Sequence, residues 1–381
     1  MSFKIKRYHL YNIFKFFFKV KEKRIIFNSY YAKQYSDNPK WFYEYLIDIN
    51  YNGEYIWVLN DKKSYSNIKH HTKLKIIHSK SIKWLYYMAT SRLWVINCNL
   101  DANYIPQQRT IFLQTWHGTP LKKIGLDIIV DSSILMQQYL DNIRLEVKNW
   151  TYILSPNIEV NEKLKSAFNV LDEQILEVNY PRNDIFKNAD SKKLEIMEKL
   201  NIQTNKKIIL YTPTFRTNDE VFNLQLDKAL LKKSLKNDYI FLFRKHSNIK
   251  RTVDGLEDLS FFYDVSSFDD IQELYLVADI LITDYSSVFF DYALLERLMI
   301  FYPYDLEIYQ NKLRGFYYEY SDIVPGPIVK TTIEIIDTIK SAEKQKQNFI
   351  ANIKAFNKKF NKQTNNTGSE ELFNLLELDY K

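Results

Sequence analysis

Residues 112–125 read FLQTWHGTPLKKIG, a short apolar run that breaks into Trp-His-Gly-Thr-Pro. The chain has six histidines and seven glycines in 381 residues, so a His-Gly pair behind a strand-like run asks for more than a bare turn. Other apolar runs end in the same manner. Their exits read PRND at 181–184, TPTFR at 212–216, RKHS at 244–247 and TDYSS at 283–287. Histidines, arginines and hydroxyls therefore collect at strand exits, which is where open parallel sheets bind their ligands.

Each exit also has a plainer account. Ser286 and Ser287 fall at a strand-to-helix junction, where free N–H groups and the macrodipole favour an anion. One of them could equally be a helix cap, worth about 1 kcal/mol. Asp291 lies about one turn on and faces the same way as Ser287. It would repel a phosphate set directly on it but could accept from substrate hydroxyls or from a nearby Thr or Tyr. If strand geometry persists, Arg244 and His246 project to one side and Lys245 to the other; alone they describe a basic surface loop. His117 alone describes a structural histidine. The chain has no His-x-x-x-His or paired-Cys zinc spacing, no GxGxxG and no GxxxxGK[ST], which weighs against dinucleotide dehydrogenases and P-loop NTPases.

The elements that would position these residues are legible as apolar runs. Seven strands are predicted at 24–30, 54–60, 75–80, 93–99, 110–116, 151–157 and 175–181, and five more at 208–216, 239–247, 259–267, 279–287 and 298–305. Several are continuously apolar rather than alternating, the mark of parallel strands covered on both faces. A polar stretch at 188–207 suggests a boundary within or beside it. Residues 267–279 predict a helix with Ser267 as its cap and Ile271, Leu274, Tyr275 and Ala278 on one face. Strand and helix alternate through both halves, which predicts an α/β protein of two doubly wound, Rossmann-like domains. The expected divisions are a basic segment at 1–24, domains at 25–195 and 196–345, and a helical tail at 346–381.

Composition limits the partners. The net charge of +7 favours acidic ones, and the single cysteine, Cys98, excludes an internal disulfide framework and any multi-cysteine metal site. No protein-bound metal or cofactor is expected. Charge and aromatics alone do not support nucleic acid as a partner. At the N-terminus, Leu10, Ile13, Phe14 and Phe17 share one helical face and Lys15, Lys19 and Lys23 lie on another. No apolar run there spans a bilayer. Such a segment either lies on an anionic membrane surface or packs on its own domain with a solvated basic face.

The motifs QTWHGTPLKKIG, LSPN, YPRND, YTPTFR, RKH, ADILITDYSSVFFDYALLERLMIFYPYD and RGFYYEY…PGPIV resemble, in order, those of the CDP-glycerol glycerophosphotransferase family. YSDNPKWFYEYL at 35–46 is similar to the family's opening segment, so the resemblance runs from about residue 25 to the C-terminus. Two departures are mild: Asn179 stands before Tyr-Pro-Arg where glycine is common, and NTGSEE replaces an Asp-Gly near the end.

The resemblance implies a GT-B-like fold with a CDP-activated polyol phosphate held between the domains. It places donor contacts at Gly118, Thr119, Pro120, Leu121, Arg182, Pro213, Thr214, Arg244, Lys245, Ser286, Ser287 and Asp291. Gly118 would let the backbone approach the donor. His117 and His246 would be catalytic, one as general base and one steadying the leaving phosphate, with their roles exchangeable. The implied reaction transfers glycerol phosphate from CDP-glycerol, or ribitol phosphate from CDP-ribitol, to a hydroxyl of a lipid-linked saccharide or polyol-phosphate acceptor. That would put the protein at the cytoplasmic face of a bacterial membrane, bound peripherally. A GT-B nucleotide-sugar transferase and a catalytically silent glycan- or lipid-binding subunit are the competing readings.

Overall fold

A computed structural model describes residues 6–128, 133–214, 225–245, 260–312, 315–362 and 364–378. The chain forms two compact units, the first from Met1–His117, Ile124–Asp184 and Lys362–Lys381, the second from Gly118–Lys123 and Ile185–Asn361. The boundaries expected at 195 and 345 fall inside helices, and the segment before residue 25 is built into the first unit.

In the first unit, α1 (Arg7–Phe17) precedes β1 (Lys21–Asn28), followed by α2 (Asp37–Asp48), β2 (Glu54–Val58), β3 (Leu74–Ile77), α3 (Ile82–Thr90), β4 (Ser91–Ile96), β5 (Ile111–Gln114), α4 (Ile134–Glu146), β6 (Tyr152–Ser155), α5 (Ile158–Phe168) and β7 (Ile175–Glu177). The strands are all parallel, in the order β3-β2-β1-β4-β5-β6-β7. The order reverses at β1 and β4, whose exits form the topological switch point where such sheets open a crevice. One face buries an aromatic cluster in which Phe27 stacks on Trp57 at 5.4 Å and Tyr35 and Tyr43 meet that indole edge-on. These offset and edge contacts add to the area each ring removes from water.

The N-terminal helix departs from its expected faces. Tyr11 is its buried residue, because its hydroxyl reaches the Ile105 carbonyl at 2.8 Å and its ring meets Trp94 and Tyr104 edge-on. Lys15, expected on a solvated face, donates to the same carbonyl at 2.7 Å. Phe14 and Phe18 pack edge-on against Tyr86. Phe16 and Phe17 remain 84% and 71% exposed.

The second unit contains α6 (Ala189–Lys199), β8 (Lys207–Thr212), α7 (Lys228–Leu235), β9 (Tyr239–Phe243), β10 (Phe262–Asp264), α8 (Ile271–Val277), β11 (Ile280–Thr283), α9 (Val288–Tyr292), β12 (Leu298–Phe301), α10 (Leu306–Lys312), α11 (Tyr320–Ile323) and α12 (Thr332–Phe360). Its five parallel strands run in the order β10-β9-β8-β11-β12, so here the switch point lies at β8 and β11. The cap of α8 is Asp270, whose carboxylate accepts the Gln272 N–H, and not Ser267. Ser267 sits inside a turn closed by the Phe268 N–H on the Val265 carbonyl, one turn too early to serve. After α12 the chain returns to the first unit as α13 (Gly368–Leu375), whose first N–H groups are held by the Asp184 carboxylate at 2.7 and 2.9 Å. Among the described residues no helix is long and apolar enough to cross a membrane.

Candidate active site

In the second unit Pro213, Thr214, Ser286 and Ser287 follow β8 and β11, the two strands of the switch point. Thr214, just past β8, donates its N–H to the Asp284 carboxylate at 2.8 Å, and Tyr285 donates to the same oxygen at 2.6 Å. Asp284 is fully buried and fastens the exits of the two central strands together. Tyr320 adds a hydroxyl on its backbone carbonyl at 2.9 Å, and the Tyr285 ring is stacked on Tyr309 at 4.1 Å. The loop carrying Ser286 and Ser287 is therefore held rigid on both sides. Asp284 stands within the TDYSS exit without an expected role, although it is the first acidic residue after a strand of four buried positions.

Ser286 and Ser287 are half-buried, and Ser287 stands at the N-cap of α9 without making a side-chain cap bond. Neither hydroxyl bonds another side or main chain among the described residues, so the capping account of this pair is not the one the structure takes. Gly118 comes against Ser287: a Cβ there would lie 2.7 Å from its Oγ. The Gly118–Lys123 segment is held by the Lys123 N–H on the Gly315 carbonyl and the Tyr317 N–H on the Leu121 carbonyl. Thr119 and Leu121 are buried, as is Pro120.

At the β9 exit, the Arg244 guanidinium donates to the Asp269 carbonyl at 3.2 Å, and the Lys245 N–H donates to Ser266 Oγ at 2.9 Å. His246 lies outside the described residues. Asp291 is buried, with Gln272 Nε2 at 3.4 Å from its carboxylate, so part of its accepting capacity is turned into the unit. Pro213 is buried beside Thr214.

In the first unit, β5 delivers His117. Trp116 before it adopts a left-handed backbone (φ 51°), with its N–H on Gln114 Oε1 and its indole edge-on to Phe168. The imidazole stacks on that indole at 4.4 Å, and Nδ1 lies 2.7 Å from the Asn97 carbonyl. A carbonyl only accepts, so Nδ1 carries a proton, and in the neutral form of the ring the basic nitrogen is Nε2. The ring of Tyr30 lies 5.9 Å away.

Tyr30 belongs to a strained turn. Tyr30, Tyr31, Ala32 and then Asp37 all have positive φ, between 45° and 64°. A non-glycine residue costs roughly 1–2 kcal/mol in that region, so the surroundings must hold it there. The Tyr30 hydroxyl donates to Asp37 at 2.6 Å, and desolvation followed by that carboxylate pushes the phenol well above its ordinary pKa. The phenol is thus kept as an O–H donor. The other Asp37 oxygen takes Arg182 Nη1 at 3.0 Å. Arg182, expected among the donor contacts, is 2% exposed, with its guanidinium over the Tyr180 ring at 4.3 Å. Its N–H also donates to Asn38, whose amide reaches the carbonyls of Thr115 and Trp116. This network braces the segment that ends in His117. Among the described residues no group of three or more His, Cys, Asp or Glu is placed to hold a metal ion.

Comparison with known proteins fits this arrangement. The chain is 42% identical over 352 residues to the teichoic acid poly(glycerol phosphate) polymerase of Bacillus spizizenii, covering 89% of this chain and 88% of the relative. It is 39% identical over 372 residues to the teichoic acid glycerol-phosphate transferase of Staphylococcus aureus, covering 94% of each. A poly(ribitol-phosphate) polymerase of Bacillus spizizenii is more distant, at 33% identity over 89% of this chain and 54% of its own length. The solved wall teichoic acid polymerase TagF superposes with a TM-score of 0.88 at 34% identity over 98% of this chain and 94% of its own, so the two-unit GT-B-like α/β architecture is shared. A variant of TagF has also been solved after a soak with CDPG. The CDP-Glycerol:Poly(glycerophosphate) glycerophosphotransferase pattern matches residues 10–378, and with relatives this similar over almost the whole length the chain belongs to that family.

Proposed function

We propose that this chain transfers glycerol phosphate from CDP-glycerol to a hydroxyl of a lipid-linked acceptor, releasing CMP, in the synthesis of teichoic acid or a related polymer. The observation that carries the reading is the pair Ser286 and Ser287, two half-buried hydroxyls at a switch point that cap nothing, the second of them approached by Gly118. In the proposed step the acceptor oxygen bonds to the β-phosphorus while the bond from that phosphorus to the bridging oxygen of CMP breaks. The acceptor proton passes to His117 Nε2, and CMP departs with the bond's electron pair. Ser286, Ser287, Thr214 and Arg244 would hold the phosphates, with Gly118 to Leu121 closing on the donor, and His246 would steady the leaving phosphate. Such a transfer asks for positioning and charge stabilisation more than for covalent chemistry.

Glycerol is favoured over ribitol by the relatives, 42% and 39% identical against 33%. Peripheral attachment to the cytoplasmic face of the membrane belongs to the same reading, supported by the exposed Phe16 and Phe17 beside Lys19.

The test is direct. Purified protein is given CDP-glycerol and CDP-ribitol in competition with a soluble short-chain acceptor, and CMP and products are followed by mass spectrometry. Glycerol phosphate added stepwise, with CMP released, is the expected result. Turnover of a nucleotide sugar instead would make this a glycosyltransferase, and no turnover of any donor would leave a binding subunit. His117→Ala and His246→Ala are each expected to lower kcat by about 10²–10⁴.

A further inference from the structure

We infer that Asn97 is a positioning residue that couples the strained Tyr30–Ala32 turn to the imidazole of His117, a step that deepens the proposal of His117 as general base and rests on it. Asn97 is completely buried, directly past β4 at the switch point of the first sheet. It is engaged at four atoms. Its side-chain Oδ1 accepts the Tyr30 N–H at 2.9 Å, Nδ2 donates to Ser29 Oγ at 3.2 Å, its N–H reaches the Asn28 carbonyl at 3.4 Å, and its carbonyl accepts from His117 Nδ1 at 2.7 Å.

The adjacent strand exit supplies the second anchor. Asn28, last residue of β1, accepts the Ala32 N–H on Oδ1 at 2.8 Å. Two asparagines at neighbouring strand exits thus hold the two ends of a turn whose three residues all sit in the left-handed region. Strain of that kind persists only where the surroundings over-determine it, and it concentrates at functional sites. Here its result is to bring the Tyr30 ring to 5.9 Å from His117. One residue therefore fixes the tautomer of the imidazole through its main chain and the wall facing that imidazole through its side chain. The order of partners is the one by which metal-bound and catalytic histidines are usually aimed, a second group on the nitrogen that does no chemistry.

The loop after Asn97 is tied from the other side. Glu146, buried on α4, accepts the Leu100 N–H at 2.8 Å and Asn99 Nδ2 at 3.1 Å. With this brace, truncating the Asn97 amide should disturb the turn and the ring without unfolding the unit.

The experiment uses the full chain and two variants. Asn97→Ala removes the hold on Tyr30, and the expected result is a kcat about 10–100-fold lower with the KM for CDP-glycerol within twofold of the parent. Asn97→Asp keeps an acceptor for the Tyr30 N–H and adds a buried carboxylate on the residue whose main-chain carbonyl holds the imidazole. The neighbouring titratable groups are Asp37 and Arg182, paired with each other, together with Tyr30, Cys98 and Glu146. A new negative charge favours the imidazolium, so the acid limb of the kcat profile should move to higher pH by about one unit. The ¹⁵N spectrum of the histidines, with His117→Gln to assign the signal, reports the tautomer without reference to turnover. Protonated Nδ1 is expected in the parent and in Asn97→Ala alike, because the main-chain carbonyl that takes this proton remains when the side chain is cut back. Parent-like kcat in Asn97→Ala together with an unmoved acid limb in Asn97→Asp would overturn the inference, as would a parent spectrum with the proton on Nε2. If His117→Gln keeps full activity, the base assignment fails, while the tautomer measurement still decides the role of Asn97.

Discussion

Gly118 approaches Ser287 so closely that a Cβ on residue 118 would lie 2.7 Å from the serine oxygen. The backbone of Gly118 is not in the left-handed region, so its value is the space it leaves and not a special dihedral angle. Gly118→Ala should fold, since the atom it meets is a rotatable hydroxyl, but it should drive that hydroxyl from its place. The expected result is kcat/KM for CDP-glycerol lowered about 10–100-fold, with the melting temperature almost unchanged. Parent-like kinetics would show that Ser287 Oγ has no part in donor binding.

Because Ser287 makes no cap bond, replacing Ser286 and Ser287 together by alanine should leave stability alone and act on the ligand. Loss of two buried hydrogen bonds would weaken CDP-glycerol binding by about 1–3 kcal/mol. Calorimetry supplies the affinity and urea unfolding the stability. A stability loss with unchanged affinity would restore the capping account.

The strands were the most legible part of the chain, and the reason is physical. A strand covered on both faces cannot hide a polar residue, so Ile56 to Val58, Leu93 to Ile96 and Ile280 to Thr283 appear as unbroken apolar or small runs, each ending at its first large polar group. All twelve expected strands are present. The polar network was not legible, because its partners are remote: Arg182 and Asp37 are 145 positions apart, and no local pattern says that a strand-exit arginine turns inward. The cap of α8 was misplaced for the opposite reason, since Ser267 and Asp270 are both good caps and only the intervening turn chooses. The two departures from the family pattern prove to be neighbours. A Cβ on Gly368, within NTGSEE, would lie 2.1 Å from the Asn179 carbonyl, and so the two sites are packed against each other.

Arg182 gives a prediction that separates bracing from binding. Its guanidinium and the Asp37 carboxylate are both buried, and removing one partner of such a pair strands the other charge. Arg182→Ala is expected to lower the unfolding free energy by about 3–5 kcal/mol, read by urea denaturation. Unchanged stability together with weaker CDP-glycerol binding would place the residue among the donor contacts instead.

The N-terminal helix gives the last prediction. Tyr11, Phe14 and Lys15 belong to the fold, tied to Ile105 and Tyr86, whereas Phe16, Phe17, Lys19 and Lys23 are exposed. Two adjacent exposed phenylalanines with lysines beside them suit the interface of an anionic bilayer, where each basic residue contributes about 1 kcal/mol and salt screens it. The protein should sediment with anionic vesicles at low salt and be released at high salt. Exchanging Phe16 and Phe17 for Ser and Lys19 and Lys23 for Glu should abolish the binding, with turnover on a soluble short-chain acceptor intact. Lys15→Glu is the contrasting variant, because it breaks the bond to the Ile105 carbonyl and should lower stability whether or not vesicles are present. If the fourfold variant sediments like the parent, the membrane contact lies on another surface. If it loses turnover on the soluble acceptor, these side chains serve the fold and the exposed face has no membrane role.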